Sequence, residues 1–157
     1  MPTYAQNTSV SVEKSKAEIE QTLQKYGAVE FVSGWNQEKA YIGFKMNGRF
    51  IKMIIPLPDK NSREFTHTPG KDKRRTSEQA IKEWEQACRE RWRALNLMIK
   101  AKLVYIETGA RSFDEEFMAD IVLPDGQTTG EFMMPQIQIA YETGKIPGLL
   151  PFLEQKK

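Results

Sequence analysis

Cysteine and histidine are almost missing from this chain, with one of each in 157 residues, and that narrows the chemistry at once. A single thiol excludes an internal disulfide and any cysteine-based zinc site. Cys88 falls on an apolar helical stripe, which makes it a small buried hydrophobe rather than a nucleophile. His67 stands alone in a polar stretch and supplies neither a metal site nor a triad. Long apolar runs are lacking too. None approaches the roughly 18 residues of a membrane span, and Met1-Pro2-Thr3-Tyr4-Ala5-Gln6 has no charged-then-apolar leader pattern. A soluble cytoplasmic protein with no membrane partner is the expectation. No Walker loop, Gly-x-Gly-x-x-Gly, Gly-x-Ser-x-Gly or His-Glu-x-x-His occurs, so a non-enzymatic protein without cofactor or metal is expected.

What is present is charge, unevenly placed. Residues 39–75 carry ten Lys/Arg against three acids, and residues 76–103 six against four. The flanks are acidic: three against five over residues 1–38, and four against nine from 104 to the end. The overall +2 therefore conceals a basic middle between acidic ends, an asymmetry that suits a polyanion partner or head-to-tail self-association.

The strongest periodic signal runs from Thr76 to about Ile106. Ile81, Trp84, Cys88, Trp92, Leu95, Ile99, Leu103 and Ile106 recur every three or four residues, one apolar stripe on a long helix. Ala80, Ala87, Ala94 and Ala101 widen it and predict a second covered face. Thr76 with Gln79 fits a capping box, and Gly109 suits a left-handed stop. Lys82, Gln86, Arg89, Arg93, Asn96 and Lys100 line up as a polar row on the remaining face. Such a row is either a solvated surface or a set of phosphate contacts.

Upstream, residues 1–10 read as a flexible leader to a single domain over 11–157. Val12, Ile19, Leu23 and Tyr26 share one side of a short helix ending at Gly27, and Ala28 to Trp35 alternates as a first strand. Asn47-Gly48 between two apolar runs predicts a type I′ hairpin. That turn sets the register: Met46 opposite Arg49, Phe44 opposite Ile51, Ile42 opposite Met53, Ala40 opposite Ile55. The other face carries Tyr41, Lys45, Phe50 and Lys52, with Gly43 as a flat spot. It is either shielded by another helix or a stacking platform, rings meeting bases and ammonium groups meeting phosphates. Asp59 to Arg75 reads as a long polar loop whose Lys71, Lys73, Arg74 and Arg75 can close over a nucleic-acid backbone.

Beyond the long helix, Ser112 with Glu115 forms a second capping box for a short helix bearing Phe113 and Phe117. Pro124-Asp125-Gly126 is a turn, and Thr129 to Tyr141 a helix bent or restarted at Pro135 and stopped by Gly144. The apolar tail Ile146 to Leu153 is a candidate anchor on the core or on a neighbour. Glu107, Asp114, Glu115, Glu116 and Asp120 raise a magnesium nuclease, but caps and helix dipoles account for most of them.

The resulting class is α+β: an N-terminal helix, a three-stranded antiparallel sheet, one long central helix, then two short C-terminal helices. The αβββα order over residues 11–106, with Lys71, Lys73, Arg74 and Arg75 just before the second helix, is similar to the double-stranded-RNA-binding domain, in which basic residues there meet phosphates. That family's Gly-Pro-x-His strand loop is replaced here by Asn36-Gln37-Glu38. The hairpin-plus-helix core over residues 28–106 also resembles single-strand annealing proteins, which form rings with DNA in a basic groove. Trp84 to Leu103 and Phe113 to Pro124 resemble small uncharacterised proteins encoded in phage and prophage genomes. These resemblances imply a phage-type protein acting in the host cytoplasm, binding nucleic acid, single-stranded DNA above all, as a homo-oligomer. The alternative is an accessory protein that binds and modulates a host protein complex, for example as a defence-system inhibitor.

Overall fold

The computed structural model describes residues 5–148. The expected class is the observed one: helix α1 (Val12–Lys25), strands β1 (Glu30–Trp35), β2 (Lys39–Met46) and β3 (Arg49–Pro56), a short helix α2 (Arg63–Thr66), the long helix α3 (Ser77–Glu107), α4 (Phe113–Phe117) running into a 3-10 turn at Met118–Asp120, and α5 (Thr129–Thr143).

Asn47, at a φ of 52°, and Gly48, at 72°, close the hairpin, because both residue types tolerate the positive angles of a type I′ turn. The register follows as expected, Met46 opposite Arg49 and Ala40 opposite Ile55. The antiparallel sheet has the order β1-β2-β3. Ala40, Ile42, Phe44, Met46, Ile51, Met53 and Ile55 are all buried on one face, where Ile19 and Leu23 of α1, Trp92, Ile99 and Leu103 of α3, and Phe113 and Phe117 of α4 complete the core. Phe44 and Phe117 meet edge to face at 5.8 Å, the arrangement that ring quadrupoles favour.

Both anticipated capping boxes form, Thr76 with Gln79 and Ser112 with Glu115, and a third, Thr128 with Glu131, starts α5. α5 continues through Pro135 as one helix, without a restart, and ends on left-handed Gly144. Its N-terminus comes close to the 3-10 turn: a Cβ on Gly130 would lie 2.9 Å from the Ala119 carbonyl oxygen.

Three sequence expectations change. The stretch from Ala5 to Val10 is held along α3: Ala5 is buried, the Asn7 N–H donates to Glu90 at 3.0 Å, and Gln86 donates to the Thr8 carbonyl at 3.0 Å. The 59–75 segment contains α2 with buried Phe65, and a bridge joins His67 to Arg74. The Arg75 guanidinium holds it together, donating to the carbonyls of Glu64, Phe65 and His67 at 2.9, 3.1 and 2.8 Å. Finally, α3 buries the expected stripe at Cys88, Trp92, Ile99 and Leu103, but its second covered face is the polar row and not the alanine face. Ala94 and Ala101 are exposed, while Gln86, Arg93, Asn96 and Lys100 of the polar row turn towards the 5–10 segment and α1, Lys82 staying exposed beside Glu78. Polar residues are drawn inward here because α1 offers Glu18 to them. The expected apolar tail lies mostly outside the described residues.

Candidate functional site

The outer face of the sheet is laid out by the register as a grid. Glu30, Lys45 and Phe50 form one row across the three strands, Val32, Gly43 and Lys52 the next, and Gly34, Tyr41 and Ile54 the third, with Lys39 beyond. Side chains alternate across a pleated sheet, so this face points away from α1, α3 and α4. It faces solvent: Tyr41 is 41% exposed and Phe50 45%, and Val32 and Ile54 are exposed beside them. Among the described residues no helical shield covers these side chains.

Two glycines shape the surface. A Cβ at Gly34 would collide with the tip of the Tyr41 ring, so that ring lies flat over β1. At Gly43 a Cβ would meet Val32 Cγ2 at 3.0 Å, leaving a trough between the two aromatic rows. Tyr41 and Phe50 are two rows apart, roughly 14 Å along the strands. Lys45 reaches Glu30 at 3.6 Å with both side chains about half exposed, an ion pair that contributes about 0–1 kcal/mol and that a phosphate can displace.

The remaining sequence-predicted residues are placed elsewhere. Arg93 donates to Glu18 Oε2 at 2.7 Å, Lys100 lies 3.6 Å from the same oxygen, Arg89 donates to Gln86 Oε1, and Lys82 pairs with Glu78 one turn back. These four belong to the side of the sheet opposite Tyr41 and Phe50. Arg75 is occupied by backbone carbonyls as described above, whereas Lys71, Lys73 and Arg74 are exposed. Their turn is tied down by an Arg63–Asp72 pair, with Arg63 Nε donating to Asp72 Oδ1 at 3.2 Å. The hydrogen bond from Arg63 is the chief reason the Asp72 carboxyl titrates below its ordinary value. Twelve residues singled out by sequence thus divide into an open sheet face, a cationic turn and a row on α3 of which two, Arg93 and Lys100, engage α1 and two, Lys82 and Arg89, engage residues of α3 itself.

The carboxylates considered for metal binding are also apart in role. Glu107 accepts from Tyr26, Asp114 pairs with Arg49, Glu115 caps α4, and Glu116 pairs with Lys102 and Arg111. Burial raises the Asp120 carboxyl above its usual range, with Lys102 acting against it. Among the described residues no three His, Cys, Asp or Glu side chains group as a metal site.

One feature of the surface is not visible in the sequence. All three tryptophans of the chain line a single cleft of about 350 Å³ between α1, α3 and the 35–40 end of the sheet. Trp84 and Trp92 mark themselves on the α3 stripe. Trp35 arrives from β1, and only the tertiary fold joins it to them. Cys88 lines the same cleft, and burial pushes its thiol up, which leaves little thiolate at neutral pH.

Fold and site together define an α+β protein whose three-stranded sheet leaves Tyr41, Phe50, Val32 and Ile54 exposed on its outer face. Set against protein-family models, curated proteins and solved structures, the chain matches none.

Proposed function

We propose that this protein binds single-stranded nucleic acid on the outer face of its sheet, without catalysing a reaction on it. The observation that carries this reading is the open face itself, where Tyr41 and Phe50 stand exposed among Lys39, Lys45 and Lys52. Bases stack on aromatic rings whatever their identity, and lysines supply the phosphate contacts. The cationic turn at Lys71, Lys73 and Arg74 adds a second positive surface.

A titration of labelled single-stranded DNA with the purified protein tests it. Binding is expected in low salt and falls steeply as salt rises. Phe50→Ala or Tyr41→Ala should each weaken it by about 1–3 kcal/mol. Lys45→Ala with Lys52→Ala should flatten the salt dependence, the logarithmic slope falling by about 0.7 for each phosphate no longer neutralised. Failure to bind in low salt, or binding indifferent to Phe50 and Tyr41, overturns the reading.

A protein partner is the second reading, and α5 favours it. The helix has no buried residue, and Met134, Ile137, Ile139 and Tyr141 are exposed along it. A helix apolar on most sides is ordinarily covered. A stoichiometric protein partner that survives nuclease treatment supports this reading.

A further inference from the structure

The tryptophan cleft goes beyond the sheet-face reading and stands without it. Its inner walls are flat and apolar: Trp84 and Trp92 from α3, with Leu57 and Ala40 beside them. Trp84 is fixed by its indole N–H, which donates to the Pro58 carbonyl at 2.6 Å. Each of these two rings already carries a lysine ammonium over its face, Lys60 at 4.2 Å from Trp84 and Lys16 at 4.8 Å from Trp92. Trp35, at the mouth, is 73% exposed. A ring of that size left in water is a surface that a second flat group covers favourably.

The charges say which flat group. Lys16 and Arg89 line the cleft half-buried, and neither has a carboxylate partner among the described residues. Arg89 rests on the neutral amide oxygen of Gln86, and Lys16 on a ring face. Glu13 and Glu85 also line the opening, but both are exposed, where water and salt screen them. The inward cations therefore prefer an anion, and the rings prefer a planar aromatic body. The volume lies at the small end of the range for ligand pockets.

We propose that this cleft binds a nucleotide, with its base stacked on Trp35 and its phosphate held by Lys16 and Arg89. The chemistry recognised is an aromatic base with an adjacent phosphate, and it is supplied either by a free nucleotide or by one residue of a strand. A cation in this position is worth more than on open surface, because the surrounding rings exclude water from one side of it.

Because every tryptophan of the chain lines the cleft, tryptophan emission excited beyond tyrosine absorption reports on this site; Trp35 also adjoins Gly34 under the Tyr41 ring, so Tyr41→Ala and Phe50→Ala separate the two surfaces. The full chain is titrated with deoxyadenosine monophosphate, adenosine, inorganic phosphate and a short single-stranded oligonucleotide. Saturable quenching by the monophosphate is the expected result, with Lys16→Ala weakening it about tenfold or more and leaving adenosine unchanged. Trp35→Ala, at an exposed position, should abolish most of the signal for both, and Phe50→Ala should leave the monophosphate response intact. Quenching by the oligonucleotide alone that persists in Tyr41→Ala places a strand residue in the cleft, quenching by the oligonucleotide that is lost in Tyr41→Ala overturns the proposal, and quenching by the monophosphate as well assigns a free nucleotide. No quenching by either overturns the proposal, as does a response to inorganic phosphate equal to that of the nucleotide. A Phe50-dependent oligonucleotide affinity with silent tryptophans would leave the sheet face standing and remove the cleft.

Discussion

Glu18 is the residue on which the helical half of the molecule turns. One of its oxygens receives Arg93 and Asn96 at 2.7 Å each, with Lys100 at 3.6 Å. The hydrogen bond from Arg93 dominates and pulls the carboxyl below its ordinary value; burial opposes it, and Asn96 and the two cationic charges reinforce it. A carboxyl depressed in the folded state contributes stability above its unfolded pKa, and that contribution is lost as pH falls through the folded one. Glu18→Gln is accordingly expected to lower unfolding free energy by about 1–3 kcal/mol at neutral pH, and the gap to wild type should close in acid. Urea unfolding at the two pH values measures both. Among the described residues Asn96 Oδ1 and Ser15 Oγ are buried beside Glu18 with no hydrogen-bond partner, while Asn96 Nδ2 donates to its carboxylate.

Among the elements, the hairpin is legible in the sequence and the long helix only in part. Asn47-Gly48 sets turn type, turn type sets register, and register sets which side chains share a face. That chain of consequence is local, so sequence alone suffices to put Tyr41, Lys45, Phe50 and Lys52 on one surface. For α3 the length, the caps and the apolar stripe are local as well. The choice of which polar row turns inward is not, because it depends on Glu18, which lies 75 residues from Arg93 on another helix. The same limit hides the cleft, whose third wall is Trp35. Arg75 illustrates a subtler case, since nothing in the run from Lys71 to Arg75 marks this arginine out from its cationic neighbours as the one that will donate to three carbonyls. Gly34 allows an element-level test of the face. In Gly34→Ala the new Cβ meets only the far end of the Tyr41 side chain, which can rotate. Thermal unfolding should change by no more than about 0.5 kcal/mol, whereas oligonucleotide binding should fall as far as in Tyr41→Ala.

At the scale of the whole molecule, the basic middle of the chain does not gather on one side. Lys39, Lys45 and Lys52 stand on the outer sheet face, while the cations of α3 lie across the sheet and are largely engaged. The net charge of a segment is therefore a poor guide to a surface when a single carboxylate on a neighbouring helix, here Glu18, engages several of its cations. α5 is the other large-scale feature, an apolar helix attached by its N-terminal end beside the 3-10 turn. Met134→Glu with Ile137→Glu is expected to leave the unfolding midpoint nearly unchanged, since neither side chain is buried. If α5 is a docking helix, the same double change removes a nuclease-resistant protein partner in co-purification. Retention of that partner would assign it to another surface.

The two margins of the sheet are unlike. Beside β3, Ile121 bridges Ile51 and the Val122 N–H donates to the Phe50 carbonyl at 2.8 Å, a clasp over the start of that strand. On the other side, among the described residues, the strand order ends at β1. Strand addition to this sheet is thus polar: an incoming strand meets an open backbone edge along β1 and an obstacle at β3. Two copies meeting β1 to β1 would close on a two-fold axis and leave a clasped margin at each end. Growth into an open fibre would require breaking the clasp first, so the segment from Ile121 to Val122 acts as a terminator as well as a connection.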